Sequence, residues 1–258
     1  MIGAIAGDII GSVYEWKRIK TKEFPLFDGD CRFTDDSVLT IAVADAILTG
    51  QSYLQTIRAY GLRHPDAGYG GAFVRWLASG SGEPYGSWGN GSAMRVSAVG
   101  HAFENAEDVL REAKRSAEVT HDHPEGIKGA QATALAVFRA RAGAPKEEIR
   151  SEIAARFGYD LSSTVDAIRP AYRFDVSCQG TVPAALIAFL DSTSYEDAVR
   201  NAVSLGGDSD TLACIAGSIA EAHYGGVPAE IQERALLLLT TELRDVVLRF
   251  RDMYIPAA

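Results

Sequence analysis

The sequence predicts an all-α fold in a single domain over residues 1–258. Three observations carry that expectation. Alanine-rich segments with helical spacing of their apolar residues follow one another along the chain. Nowhere do apolar and polar residues alternate over the stretch that a half-buried strand would need. No linker of shifted composition divides the chain. With 47% hydrophobic and 23% charged residues, it has the composition of an ordinary globular protein able to bury a large core.

In chain order, residues 2–13 mix Gly, Ala and Ile around Asp8 and lead into Tyr14-Glu15-Trp16. Gly3, Gly7 and Gly11 recur every fourth residue, which on a helix gives one smooth face suited to close backbone approach. Each such glycine costs about 1 kcal/mol against alanine, so a compensating contact is expected. Residues 17–32 are polar, carry Pro25 and Asp28-Gly29-Asp30, and read as a loop. Residues 37–48 suit a largely buried helix that stops at Thr49-Gly50. Further helices are expected at 52–63, 70–78 and 92–103. The run between the last two, from Ser79 to Ser92, is too rich in glycine for regular structure. A loop of that length inside a domain, carrying Tyr85 and Trp88, reads as functional. Helices are then expected at 106–118, 124–142 and 145–157, with 160–175 polar and irregular. The remaining helices fall at 182–190, 195–204, 210–223 and 228–252, the last with a break near Thr241.

Two acidic clusters dominate the chemistry. Phe33-Thr34-Asp35-Asp36-Ser37 precedes one apolar helix, and Gly206-Gly207-Asp208-Ser209-Asp210-Thr211 precedes another. Thr34, Asp35 and Asp208 would each make a plain helix cap, since Ser, Thr and Asp are favoured there and a carboxylate suits the helix N-terminus. Taken together, the clusters offer Asp35, Asp36, Asp208 and Asp210 with the hydroxyls of Thr34, Ser37 and Thr211. That all-oxygen set matches magnesium or manganese and not zinc. Carboxylates crowded beside apolar helices also repel unless a cation compensates. Glu15 follows the glycine face, and a carboxylate beside such a centre is the expected general acid or base.

Other motifs are weaker. Gly86-Ser87-Trp88-Gly89-Asn90-Gly91-Ser92-Ala93-Met94-Arg95 exposes backbone amides at a helix start, which suits an anion such as a diphosphate; a flexible turn capped by Ser92 is the plain alternative. No strand precedes it, which argues against a dinucleotide-binding βαβ unit. Thr120-His121-Asp122-His123-Pro124 reads as a helix start capped by Asp122 or Thr120, with a histidine lining a polar cleft. Cys178 reads as a buried structural thiol. Cys31, Cys178 and Cys214 are widely spaced with no C-x-x-C pair, which fits a reducing cytoplasm better than a disulfide framework. The N-terminal apolar stretch is short and has no basic leader, so neither a signal peptide nor a membrane span is expected. The formal charge of −9 argues against a nucleic-acid or membrane surface as the main partner.

These motifs, in this order and over nearly the whole chain, resemble the ADP-ribosylglycohydrolase family, which includes the dinitrogenase reductase-activating glycohydrolases and the animal ADP-ribosylhydrolases. The resemblance implies a compact orthogonal multi-helix bundle with two Mg2+ or Mn2+ ions. It implies hydrolysis of the bond from C1 of the distal ribose of ADP-ribose to an acceptor, on an ADP-ribosylated protein side chain such as Arg or Ser. A small metabolite such as O-acetyl-ADP-ribose is the alternative substrate, and a non-catalytic binding or structural relative the alternative role. By the same resemblance Thr34, Asp35, Asp36, Asp208, Asp210 and Thr211 are metal ligands, with Glu15, Asp36 and Asp210 at the chemistry. Gly86, Ser87, Trp88, Gly89, Asn90, Gly91 and Ser92 form the diphosphate and ribose cradle, His121 lies on the adenosine side, and Gly68-Tyr69-Gly70 is another cleft loop. The connection from Trp16 to Phe33 is shorter than in many relatives, at the place where the leaving group would sit. A monomer is favoured.

Overall fold

The fold is organised around two helices that touch backbone to backbone although they are distant in sequence. The computed structural model describes residues 1–255. Helix α1 (Ile2–Gly11) is buried at every residue, and α13 (Ser209–Tyr224) is buried from Ser209 through Glu221. The glycine face explains their approach. A Cβ added at Gly3 would stand 2.5 Å from the Gly217 carbonyl, one at Gly7 would collide with the Ala213 carbonyl, and one at Gly11 would lie 2.6 Å from Asp210 Cα. Because Gly3 meets Gly217 while Gly11 meets Ser209 and Asp210, the helices run antiparallel. Tyr195 closes one end of the contact by donating its hydroxyl to the Gly3 carbonyl at 2.8 Å. The helix propensity lost at each glycine is offset by Ile5, Ile9 and Ile10, all fully buried, each worth roughly 1.5–3 kcal/mol.

The other elements surround this pair. Helix α2 (Asp35–Thr49) is capped by Thr34 and ends at Gly50, whose φ of 68° is the left-handed conformation glycine tolerates. It is followed by α3 (Tyr53–Arg63) and α4 (Gly71–Ser79). The stretch 92–103, expected as one helix, is two short ones: α5 (Gly91–Met94) and α6 (Ser97–Ala102). Arg95 and Val96 between them have ψ of −3° and −5°, which interrupts the helical ladder while the Arg95 side chain turns fully inward. Then come α7 (Ala106–Glu118), α8 (Pro124–Arg141) and α9 (Lys146–Phe157). The cap of α8 is His123, whose Nδ1 accepts from the Glu125 amide at 3.1 Å, and not Asp122 or Thr120.

A single turn, α10 (Val165–Ile168), sits in the polar segment expected to be irregular. Helix α11 (Cys178–Leu190) begins four residues before the expected start at 182 and runs through Pro183. Its start is set by Ser177, whose hydroxyl accepts the Gly180 amide at 3.1 Å. Helices α12 (Tyr195–Val203), α14 (Ala229–Leu238) and α15 (Thr241–Tyr254) complete the chain, and the break before α15 falls at its cap, Thr240. The described residues contain no strand; one isolated backbone bridge joins Gly89 to Ser177. No helix among them is long and apolar enough to cross a membrane. Cys31, Cys178 and Cys214 are free and buried.

The glycine contact yields a direct test. Gly7→Ala must push a methyl group into the Ala213 backbone, which cannot yield as a side-chain end can. It should lower stability by about 1–3 kcal/mol, read as a drop of several degrees in Tm, whereas Gly29→Ala, which meets nothing within 4 Å, should leave Tm within a degree or so of wild type. Equal melting of both variants would refute the account.

Candidate metal centre and ligand cleft

Asp8 is the first side chain to place, because it ties the two acidic clusters to α1. It is fully buried among Ala, Gly and Ile. Its Oδ1 accepts the Thr34 hydroxyl at 2.6 Å, and its Oδ2 accepts the amides of Thr34 at 2.9 Å and Ser37 at 3.1 Å together with the Ser37 hydroxyl. These bonds clamp the first turn of α2 onto α1. Thr34 then accepts the Asp36 amide at 3.2 Å, so this one hydroxyl both caps α2 and faces the cluster. On α13, the Thr211 hydroxyl lies 2.9 and 3.0 Å from the two oxygens of Asp36, which fixes that carboxylate across the helix pair.

Asp208 occupies the cap position of α13, yet its side chain does not bond the helix amides. It accepts instead from Asn90 Nδ2 at 2.7 Å, and the same nitrogen lies 3.1 Å from Thr181 Oγ1. The Asp210 Oδ1 oxygen is buried without any hydrogen-bond partner. Glu15, half-buried on the turn after α1, completes the group. Ligand oxygens of Asp8, Asp36 and Asp210 lie within 4.8 Å of one another, as do those of Glu15, Asp208 and Asp210. Asp210 belongs to both sets.

Burial pushes every one of these carboxyl groups above its ordinary pKa. Asp36 and Asp210 are raised well above it, by loss of water first and by neighbouring carboxylates second. Asp35 is pushed up to about 8 by burial and by the charges of Asp8 and Asp208. Glu15 is raised by burial and by Asp208. Asp8 and Asp208 are raised by burial, against which their hydrogen bonds work. This is the signature of an incomplete charge balance. A hard divalent cation fits it: the donors are all oxygen, two sets of three converge, and one buried oxygen has no partner.

The cluster lines a cavity of about 450 Å³, within the range of small-molecule sites. Glu15, Thr34, Asp35, Asp36, Asp208, Asp210 and Thr211 line it. Gly68, Gly70, Ser87, Gly89, Asn90, Gly91 and His121 line it too. Four residues expected beside them do not. Tyr69 packs its ring 4.8 Å from Phe73, and Ser92 donates inward to the Gly126 carbonyl at 2.7 Å. Trp88 stands 54% exposed outside the cleft with its ring 5.6 Å from His123, and Gly86, at φ 64°, shapes the turn.

The glycine-rich loop is held from behind. The Asn90 amide donates to the Val176 carbonyl at 2.7 Å, the Cys178 amide to the Trp88 carbonyl at 2.9 Å, and the Cys178 thiol to the Gly89 carbonyl at 3.0 Å. Burial pushes that thiol up to about 12, so it serves as a donor strut. On the opposite wall, the Asp35 amide donates to the Ala67 carbonyl at 2.8 Å, which ties the Gly68–Gly70 loop to the acidic cluster. Asp8 is absent from the donor set expected from sequence, although an aspartate inside an otherwise apolar helix is a signal that it must find partners. Arg32, Asp66 and Val176 also reach the cavity wall from segments with no motif to mark them, and Tyr85 and Arg95 reach it from the marked glycine-rich stretch without having been assigned to the site.

Comparison with known proteins bears on the family and the fold. The model of the ADP-ribosylglycohydrolase family matches residues 1–255. The chain is 26% identical to the mouse ADP-ribosylhydrolase ARH3 over 87% of its own length and 82% of that protein. It is 26% identical to the Pseudomonas putida ADP-ribosylarginine hydrolase Tri1, covering 91% of this chain and 72% of that one. A solved structure described as an ADP-ribosylglycohydrolase-related protein complex superposes with a TM-score of 0.72 at 27% identity, over 100% of this chain and 97% of that chain.

Asp210→Asn keeps the side-chain shape and removes one of the crowded charges. Without divalent cation the variant should melt a few degrees above wild type. Magnesium or manganese should then raise the wild-type Tm and leave the variant unmoved. Indistinguishable melting of the two proteins, with and without cation, would count against charge repulsion in the cluster.

Proposed function

The chain belongs to the ADP-ribosylglycohydrolase family, and from that premise we propose that it hydrolyses the bond between C1 of the distal ribose of ADP-ribose and an acceptor. The observation that carries this reading is the pair of carboxylate trios sharing Asp210 in a cleft that the glycine-rich loop also lines. The two sets meet at Asp210, whose position within reach of both Asp36 and Asp208 suits two adjacent divalent cations, magnesium or manganese. Thr34, Asp35, Asp36, Asp208, Asp210 and Thr211 would hold them. Bound there, the cations would supply Lewis acidity toward ribose hydroxyls and water. Asp8 belongs to the first trio, but both its oxygens are already taken by donors from Thr34 and Ser37. Its part is to hold the start of α2 in place.

The protein groups divide the remaining work. Thr211 orients Asp36, and Asn90 orients Asp208 while sitting on the loop that would cradle the diphosphate. Ser87, Gly89, Asn90 and Gly91 would face the diphosphate and ribose, with Gly68 and Gly70 across the cleft. The distal ribose then lies against the carboxylates, so positive charge developing on the sugar ring is stabilised where it forms. Glu15 takes a proton from water at its carboxylate oxygen as the water oxygen bonds to C1 and the C1–acceptor bond breaks. That proton passes to the departing acceptor. Burial and Asp208 raise the affinity of Glu15 for a proton, which suits it to this exchange.

One matching relative is named for ADP-ribosylarginine and the other name specifies no acceptor, so the acceptor is decided by assay. A release assay over arginine-linked, serine-linked and O-acetyl-linked ADP-ribose, with magnesium, manganese or EDTA, should show cation-dependent ADP-ribose release from at least one. Glu15→Gln should lower kcat by roughly 10²–10⁴-fold with ADP-ribose binding retained. Cation-independent activity, or full activity in Asp36→Ala, would remove the proposal.

A further inference from the structure

Behind the glycine-rich loop lies a charge that this chemistry leaves unused. Arg95 has 0% exposure, and its Nη2 donates to the Ser116 carbonyl at 2.7 Å and to the Thr120 hydroxyl at 2.9 Å. Its Nε and Nη1 have no partner, although the residue reaches the cavity wall. The Thr120 hydroxyl in turn lies 2.7 Å from His121 Nδ1. His121 lines the cleft, and among the described residues its Nε2 makes no hydrogen bond. A Cβ at Gly91 would stand 3.2 Å from that Nε2, and one at Gly89 3.7 Å.

We infer that Arg95 and Thr120 are positioning residues that lock His121 in the tautomer carrying its proton on Nε2, so that a neutral N–H donor faces the cleft beside Gly89 and Gly91. The polarity of the relay follows from the donor inventory. A guanidinium can only give hydrogens, so Thr120 Oγ1 accepts from it, and among the hydrogen bonds of that hydroxyl Nδ1 is the one group able to take its own proton. Nδ1 is then an acceptor, and the ring proton is left on Nε2. Burial, with the Arg95 charge behind it, holds the imidazole well below its ordinary pKa, so the ring stays neutral. The Arg95 guanidinium, lowered by burial to about 10, remains charged at neutral pH. The group that fits this donor is an oxygen with full or partial negative charge, backed by a buried cation. A nucleoside diphosphate is the ligand class, an assignment that rests on the ADP-ribose reading above.

The tautomer can be read without any ligand. Proton–nitrogen correlation spectra of the imidazole rings distinguish the two neutral forms, and with five histidines in the chain, His121→Gln supplies the assignment. Wild-type His121 should carry its proton on Nε2. Thr120→Val, which keeps the shape and removes the hydroxyl, should shift the ring away from that tautomer and weaken ADP-ribose binding roughly tenfold. Thr120→Ser should restore both. Retention of the Nε2–H form in Thr120→Val would overturn the inference, as would a changed tautomer with unchanged ADP-ribose affinity. A wild-type protein with the expected tautomer and no affinity for ADP-ribose would leave the relay standing and remove the ligand reading instead.

Discussion

The backbone contact between α1 and α13 is the constraint on which the remaining structure depends. Glycine at positions 3, 7 and 11 lets the two helices approach until a methyl group would collide. At that separation Asp8 on α1, Asp36 at the start of α2 and Asp210 at the start of α13 fall within ligand distance of one another. A wider spacing, as between ordinary leucine-faced helices at 8–10 Å or so, would leave the same residues as separate helix caps. Packing therefore sets the chemistry of the centre before any charge is considered.

The acidic residues are held in a state that no isolated helix would choose. Each helix start contributes carboxylates where its own exposed amides would welcome them, but only part of that welcome is used. Thr34 caps α2 in the ordinary way, whereas Asp208 at the head of α13 turns to Asn90. The surplus negative charge is buried, and the protein accepts the strain because neighbours over-determine it: Asp8 is fixed by donors from Thr34 and Ser37, and Asp36 by Thr211. Hydrogen bonds of this kind around a carboxylate orient it and tune its basicity.

Much of this was legible in the residues themselves. The apolar runs after Thr34 and Asp208 mark two buried helices, and the four-residue glycine spacing announces close packing without naming the partner. The likeness of the two acidic clusters points to a composite centre. Less visible were features that depend on three-dimensional neighbours. The interruption at Arg95 has no glycine or proline to mark it, since its cause is a guanidinium buried against Ser116 and Thr120. The early start of α11 is hidden because Pro183 looks like a first-turn residue, while Ser177 does the capping. Tyr69 and Trp88 sit inside motifs that face the cleft, yet loop geometry turns one into the core and the other outward.

The sequence distance between the two touching helices has a consequence for biosynthesis. α1, apolar and smooth on its glycine face, is made about 200 residues before the Ala213 and Gly217 backbone that covers it. At translation rates of roughly 5–20 residues per second it waits some 10–40 s for its partner. Throughout that interval the glycine face of α1 lacks the backbone that covers it in the folded chain, although α2, made soon after it, can already dock through Asp8. Chaperone demand in this protein is therefore set by the order of its helices along the chain as much as by their stability once docked.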